Sequence, residues 1–111
     1  MRSSDIYYQD ELAGRLWDTD KGLYHFQYDP GFVAGHSPPI TPNLPKQVEL
    51  FTSPWLFPIF YAMLSEGSLR EFQEQAWKIA PGDDFGLLRA TARHDTIGAL
   101  TLRNTEITDA A

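Results

Sequence analysis

Residues 23–28 read Leu23-Tyr24-His25-Phe26-Gln27-Tyr28, and their alternation decides the fold. Side chains two apart share one face of a strand, so Tyr24, Phe26 and Tyr28 present three rings on one side. Leu23, His25 and Gln27 point the other way. Just upstream, Ile6-Tyr7-Tyr8-Gln9 and Leu12-Ala13-Gly14-Arg15-Leu16-Trp17 are short aromatic-rich runs separated by Asp10-Glu11. They predict a β-hairpin, although Asp-Glu lacks the glycine of the preferred two-residue turns. The turn signal Asp18-Thr19-Asp20-Lys21-Gly22 then joins 12–17 to 23–28, and the three strands form an antiparallel meander.

Downstream, Asp29-Pro30-Gly31 closes the third strand. Five prolines follow within residues 30–45 (Pro30, Pro38, Pro39, Pro42 and Pro45), a density that excludes a central strand or a helix interior. Pro39 and Pro42 satisfy the P-x-x-P spacing of an SH3-type ligand. Ile40 and Leu44 beside them, with Val48, Leu50 and Phe51 after them, predict instead a structured loop with an edge strand.

The second half turns helical. Ser53-Pro54 offers a capping side chain and a proline at the first helical position, predicting a helix over 55–64 whose first turn Pro58 distorts. Ser68-Leu69-Arg70-Glu71 reads as a capping box for a helix over 69–80, with Leu69, Phe72, Ala76 and Ile79 as its buried face. Pro81-Gly82 stops it. Asp83 or Asp84 caps a third helix over 84–92, with Phe85, Leu87 and Leu88 inward. Residues 97–102, Ile97-Gly98-Ala99-Leu100-Thr101-Leu102, predict a strand returning to the sheet. Strands first and helices later imply an α+β fold: a small antiparallel sheet, meander plus returning C-terminal strand, with about three helices packed on it. The expected core includes Tyr24, Phe26, Phe60, Leu64, Phe72, Leu88 and Leu100. Residues 104–111 are polar and small and are expected to fray.

Composition bounds the function. The 111 residues, 42% of them hydrophobic, suit a single domain over 1–111 with a core of about 5–103. Such a domain buries a little over ~60% of its unfolded surface. A protein kinase core, a dinucleotide-binding fold with a substrate domain, and a (β/α)₈ barrel do not fit in that length. Nine Lys and Arg against 15 Asp and Glu leave a net charge of −6, which repels phosphate backbones and argues against direct nucleic-acid binding. The absence of cysteine excludes a disulfide scaffold and thiolate metal sites. The N-terminus carries no signal-peptide pattern. The longest apolar stretch, Trp55 to Leu64, is broken by Pro58 and is half a membrane span. The expectation is a soluble cytoplasmic protein with no membrane association.

Chemistry is hard to find. His25, His36 and His94 lack metal-ligand spacing. His94-Asp95 invites a base-and-orienter reading, and with it an enzyme, but adjacent residues seldom supply that geometry and no nucleophile elbow accompanies them. A turn accounts for His94-Asp95-Thr96 more simply. Asp83-Asp84 is explained by helix capping, and the glycines form no phosphate cradle. No catalytic residue, cofactor or metal is expected.

What stands out is Phe51-Thr52-Ser53-Pro54-Trp55-Leu56-Phe57-Pro58-Ile59-Phe60-Tyr61. A single short helix cannot hide so many large side chains from every side. Part of the run is core, and part is available to a partner: Trp55, Leu56, Phe57 and Tyr61, with Glu66 beyond them, are the candidate interface, tryptophan being enriched at binding hot spots. The alternative, equally open from the sequence, is that Trp55 is itself a core residue.

Four segments carry a resemblance. Phe26-Gln27-Tyr28-Asp29-Pro30-Gly31-Phe32, Asn43-Leu44-Pro45, Pro58-Ile59-Phe60-Tyr61-Ala62-Met63-Leu64-Ser65-Glu66-Gly67 and Ile97-Gly98-Ala99-Leu100 occur in the order seen in the N-terminal subdomain of HipA-type toxin kinases. The chain resembles that family over residues 5–103. Ser65 stands where the family usually has proline, and the stretch from Thr91 to Thr96 lacks the common glycine and is a residue longer. HipA-like proteins continue into a kinase core, and these 111 residues do not contain one. A free-standing version is similar to HipS, the small antitoxin of HipB–HipS–HipT systems. The resemblance therefore implies a non-enzymatic antitoxin that binds a HipT-like serine/threonine kinase, in a complex with a HipB-like DNA-binding protein. The alternative it leaves is a structural subunit that completes or supports the active kinase fold.

Overall fold

A computed structural model describes residues 2–91 and 100–104. His94, Asp95, the 97–99 part of the returning strand and the tail beyond 104 lie outside the described residues. The elements run β1 (Ser3–Tyr8), β2 (Glu11–Asp18), β3 (Tyr24–Tyr28), α1 (Pro30–Ala34), β4 (Phe51–Ser53), α2 (Pro58–Tyr61), α3 (Gly67–Ala76), α4 (Asp84–Thr91) and β5 (Leu100–Asn104). The five strands form one sheet in the order β4-β3-β2-β1-β5, and every neighbouring pair is antiparallel. The α+β fold expected from the sequence is present, with four helices rather than three among the described residues and β4 as the edge strand. Among the described residues no helix is long and apolar enough to cross a membrane.

The first hairpin closes one residue earlier than expected. Tyr8 pairs with Glu11, and Gln9 and Asp10 take φ of 49° and 69°, the double left-handed conformation of a type I′ turn. Between β2 and β3, Gly22 at φ 79° supplies the left-handed position that its lack of Cβ permits. Its N–H donates to the Thr19 carbonyl at 3.0 Å.

Alternation along β3 works as predicted. Phe26 and Tyr28 are buried and Tyr24 is partly buried against the same core, while His25 and Gln27 face outward. The Phe26 ring lies 4.9 Å from Tyr28, 5.9 Å from Phe60 and 6.4 Å from Phe51, and Tyr28 stacks on Phe32 at 5.7 Å. Ile6, Leu16, Leu100 and Leu102 from the sheet and Phe85, Leu87 and Leu88 from α4 complete this core.

The proline-rich stretch is a structured loop. Ile40 and Leu44 are buried, and the Tyr28 hydroxyl ties the loop down by donating to the Leu44 carbonyl and accepting from the Ile40 N–H. Replacing Tyr28 with Phe leaves both backbone groups buried without that partner, and is expected to cost about 1–3 kcal/mol. Thermal unfolding checks this. An unchanged melting temperature would contradict it. Helix α1 at the head of the loop was not anticipated, although Asp29-Pro30 signals it: the Asp29 carboxylate accepts from the Gly31 N–H at 3.0 Å, and Pro30 occupies the first turn.

Three corrections concern the helices. Ser53 ends β4 instead of capping a helix, and α2 is a single turn from Pro58 to Tyr61, because Leu56 and Phe57 are drawn into the core before the chain can coil. Helix α3 starts at Gly67, not at a capping box on Ser68, and ends at Ala76. Of its expected buried face only Ile79, past the end of the helix, packs partly buried against the core. Leu69, Phe72 and Ala76 point to solvent: Phe72, expected in the core, is 67% exposed and Leu69 is 57% exposed. Arg70 is the cause. Its guanidinium donates to Asp84 at 2.7 Å and to Glu74 at 3.0 Å, so the polar side of α3 is the side held against α4. The period of 3.6 identifies a stripe but not which way it faces.

Arg2 forms a second clamp, joining Asp18 of β2 at 2.7 Å and Asp83 before α4 at 2.8 Å. Burial alone would raise the Asp83 carboxyl. The hydrogen bonds from Arg2 and from the Gly86 N–H, with the attraction of Arg2 and Arg89, outweigh it and hold the group below its usual 3.8. A carboxyl depressed in the folded state stabilises above its unfolded pKa and loses that contribution as pH falls through the folded value. Stability should therefore decline below about pH 3.8, and less steeply in Asp83→Asn, as read from melting temperatures between pH 5 and 2.

Candidate functional site

Three of the side chains that the sequence singled out for chemistry, Asp83, Asp84 and His25, are engaged in structure. Asp83 caps α4, its carboxylate accepting from the Gly86 N–H at 3.1 Å, and Asp84 is held by Arg70. His25 sits on the outer sheet face, its Nδ1 3.0 Å from the Thr52 hydroxyl and its ring tilted over Trp17 at 5.4 Å. His36 is exposed in the loop after α1. Among the described residues no three His, Asp or Glu side chains gather as a metal site. A depression of about 550 Å³ on the outer sheet face is lined by Asp5, Arg15, Trp17 and Gln27. Asp5 and Arg15 pair with each other there at 3.3 Å, an arrangement that offers neither a nucleophile nor a base poised beside one.

Exposed apolar surface is the distinctive feature. Seven large hydrophobic side chains are exposed among the described residues, and five of them (Trp55, Tyr61, Leu69, Phe72 and Trp77) lie between residues 55 and 77. The local chain path explains why. Phe51 pairs across from Phe26, which anchors β4 at the sheet edge. The Ser53 hydroxyl then accepts from the Trp55 N–H at 3.0 Å, turning the chain so that Trp55 leaves the surface, 76% exposed. Leu56 and Phe57 turn inward and are buried. Phe57 stands at the N-terminal boundary of α2, Pro58 opens it, Phe60 enters the aromatic core, and Tyr61 emerges 50% exposed. Leu64 returns to the core, and Glu66 and Gly67 lie exposed at the start of α3.

Of the five candidate interface residues, Trp55, Tyr61 and Glu66 are thus on the surface, whereas Leu56 and Phe57 belong to the core that supports them. The exposed stripe of α3 was missed as a surface feature, because its spacing also suits a buried helix. The signal available was its polar side: Arg70 and Glu74 stand four apart, poised for an ion pair.

Comparison with known proteins accords with this geometry. The family model described as HipA N-terminal domain matches residues 4–103. The chain is 28% identical over 103 residues to a putative kinase, Y4mE, of Sinorhizobium fredii, an alignment covering 92% of this chain and 24% of that protein. The chain therefore spans about a quarter of the length of this curated relative. A solved structure described as the N-terminal domain of HipA toxin superposes with a TM-score of 0.69 at 23% identity, over 96% of this chain and 94% of that one. At that identity the likeness establishes the fold.

Proposed function

The chain belongs to the HipA N-terminal domain family, and from that premise we propose that it is a non-catalytic antitoxin that binds and neutralises a HipT- or HipA-like serine/threonine kinase. It does so in the cytoplasm, in a complex that includes a HipB-like DNA-binding protein. The observation that carries this reading is the exposure of Trp55 and Tyr61 on a segment that Leu56, Phe57 and Phe60 anchor in the core. An exposed tryptophan standing beside core-anchored neighbours suits recognition of a protein surface.

Inhibition of a kinase requires only that its lobes or activation segment be held away from the catalytic arrangement. A wedge such as Trp55 achieves this if it binds the open kinase better than the closed one, by a few kcal/mol. Leu56 and Phe57 contribute by fixing the backbone on which Trp55 stands.

A second reading is favoured by the alignment with a quarter of a longer putative kinase: the domain is a structural subunit that supports the active kinase fold. Co-expression with a HipT-like kinase from the same genome tests the antitoxin reading. Growth should be restored by the wild-type protein. Continued arrest, with the protein present and folded, would contradict it.

A further inference from the structure

Helix α3 is amphipathic and mounted with its apolar side outward. Leu69, Phe72 and Ala76, spaced three and four apart, form an exposed stripe, and none of the ten residues of the helix is fully buried. The orientation is enforced rather than incidental. Arg70 and Glu74, whose side chains are only 18% and 12% exposed, are locked to one another, and Arg70 is locked to Asp84 as well.

Beside the stripe the surface is acidic. Glu71 lines, with Glu74, Gln75, Ile79 and Pro81, a cleft of about 470 Å³. Glu74 is neutralised by Arg70, whereas Glu71 and Glu66 are exposed and in no ion pair among the described residues. The helix has no outward cation to balance them, since Arg70 is its one basic residue.

We infer that this face of α3 is a docking surface separate from the Trp55 loop, and that its occupant is an apolar segment of the partner kinase flanked by lysine or arginine. The apolar stripe takes the hydrophobic part of that segment, and a cationic side chain enters the cleft to meet Glu71. Charge selects this occupant over a second copy of the chain. Two α3 faces brought together would oppose Glu66 and Glu71 with no outward basic residue on the helix to offset them, and like charges at an interface disfavour the pairing. Lys78, just past the end of the helix, lines a different depression with Arg2 and Asp83.

The inference rests on the kinase-binding reading above, and the test separates the two. Affinity for a purified HipT-like kinase from the same genome is measured by calorimetry for the wild type, Trp55→Ala, Phe72→Ser and Glu71→Lys, each checked for an unchanged melting temperature. Phe72 and Glu71 point to solvent, so neither variant should disturb folding. The expected result is an affinity loss of about tenfold or more for Phe72→Ser. Glu71→Lys should lose several-fold at low salt and less at high salt, as screening removes the charge contribution. Wild-type affinity in both variants, with loss in Trp55→Ala, overturns the α3 surface and leaves the kinase-binding reading standing. A wild-type dimer in light scattering that Phe72→Ser dissolves, with kinase affinity unchanged, assigns the face to a second copy and also overturns the inference. No wild-type binding at all defeats the functional reading with it.

Discussion

Phe26→Ala is expected to destabilise the protein by about 3–5 kcal/mol, the usual range for removing a fully buried phenylalanine. Phe26 has no solvent exposure, and its ring touches the rings of Tyr28, Phe60 and Phe51. The cavity left behind would be walled by β3, β4 and α2 together, and three elements cannot all collapse into it. A domain of this size is stable by about 5–15 kcal/mol in total. The variant should therefore be marginal, with a melting temperature lower by roughly 12–40 °C at about 4–8 °C per kcal/mol. Chemical denaturation should show a reduced midpoint with an unchanged slope. A loss below about 1 kcal/mol would contradict the placement of Phe26 at the junction of sheet and helices.

Trp55→Ala should behave in the opposite way. At 76% exposure the indole fills no cavity, and removing it should change stability by no more than about 0.5 kcal/mol. Binding is where the loss appears. Truncation of a central interface tryptophan commonly costs at least ~2 kcal/mol, about thirtyfold in affinity. A normal melting temperature, weakened kinase binding and restored toxicity form the expected set. A melting temperature that falls as far as in Phe26→Ala would mean that Trp55 is a core residue.

The contrast between these two residues shows what could be read from the amino acids. Period-two alternation fixes the face of Phe26 and Tyr28 without ambiguity, because a one-residue slip would turn both rings to water. The meander, the returning strand and the inward Leu87 and Leu88 of α4 follow from equally local patterns. The structured loop follows from Ile40 and Leu44, buried as their apolar character requires.

What escaped was set by contacts distant in sequence. The orientation of α3 depends on Arg70 reaching Asp84, fourteen residues away, and no helical periodicity reports such an ion pair. A buried stripe and a docking stripe have the same spacing. In the 55–61 run the total apolar content exceeded what one turn could bury, which was legible. Which members went inward was not, since the Ser53 hydroxyl and the Pro58 start of α2 decide that residue by residue. Trp55 and Tyr61 emerged while Leu56 and Phe57 sank.

The measurement that bears most directly on the antitoxin reading is phosphotransfer by a HipT-like kinase as this protein is titrated into it. The rate is predicted to fall toward zero as the protein saturates the kinase, and to fall far less with Trp55→Ala at the same concentration. A rate that stays constant, or that rises with added protein, would contradict neutralisation, and the rising case would make the domain a supporting subunit of the active kinase.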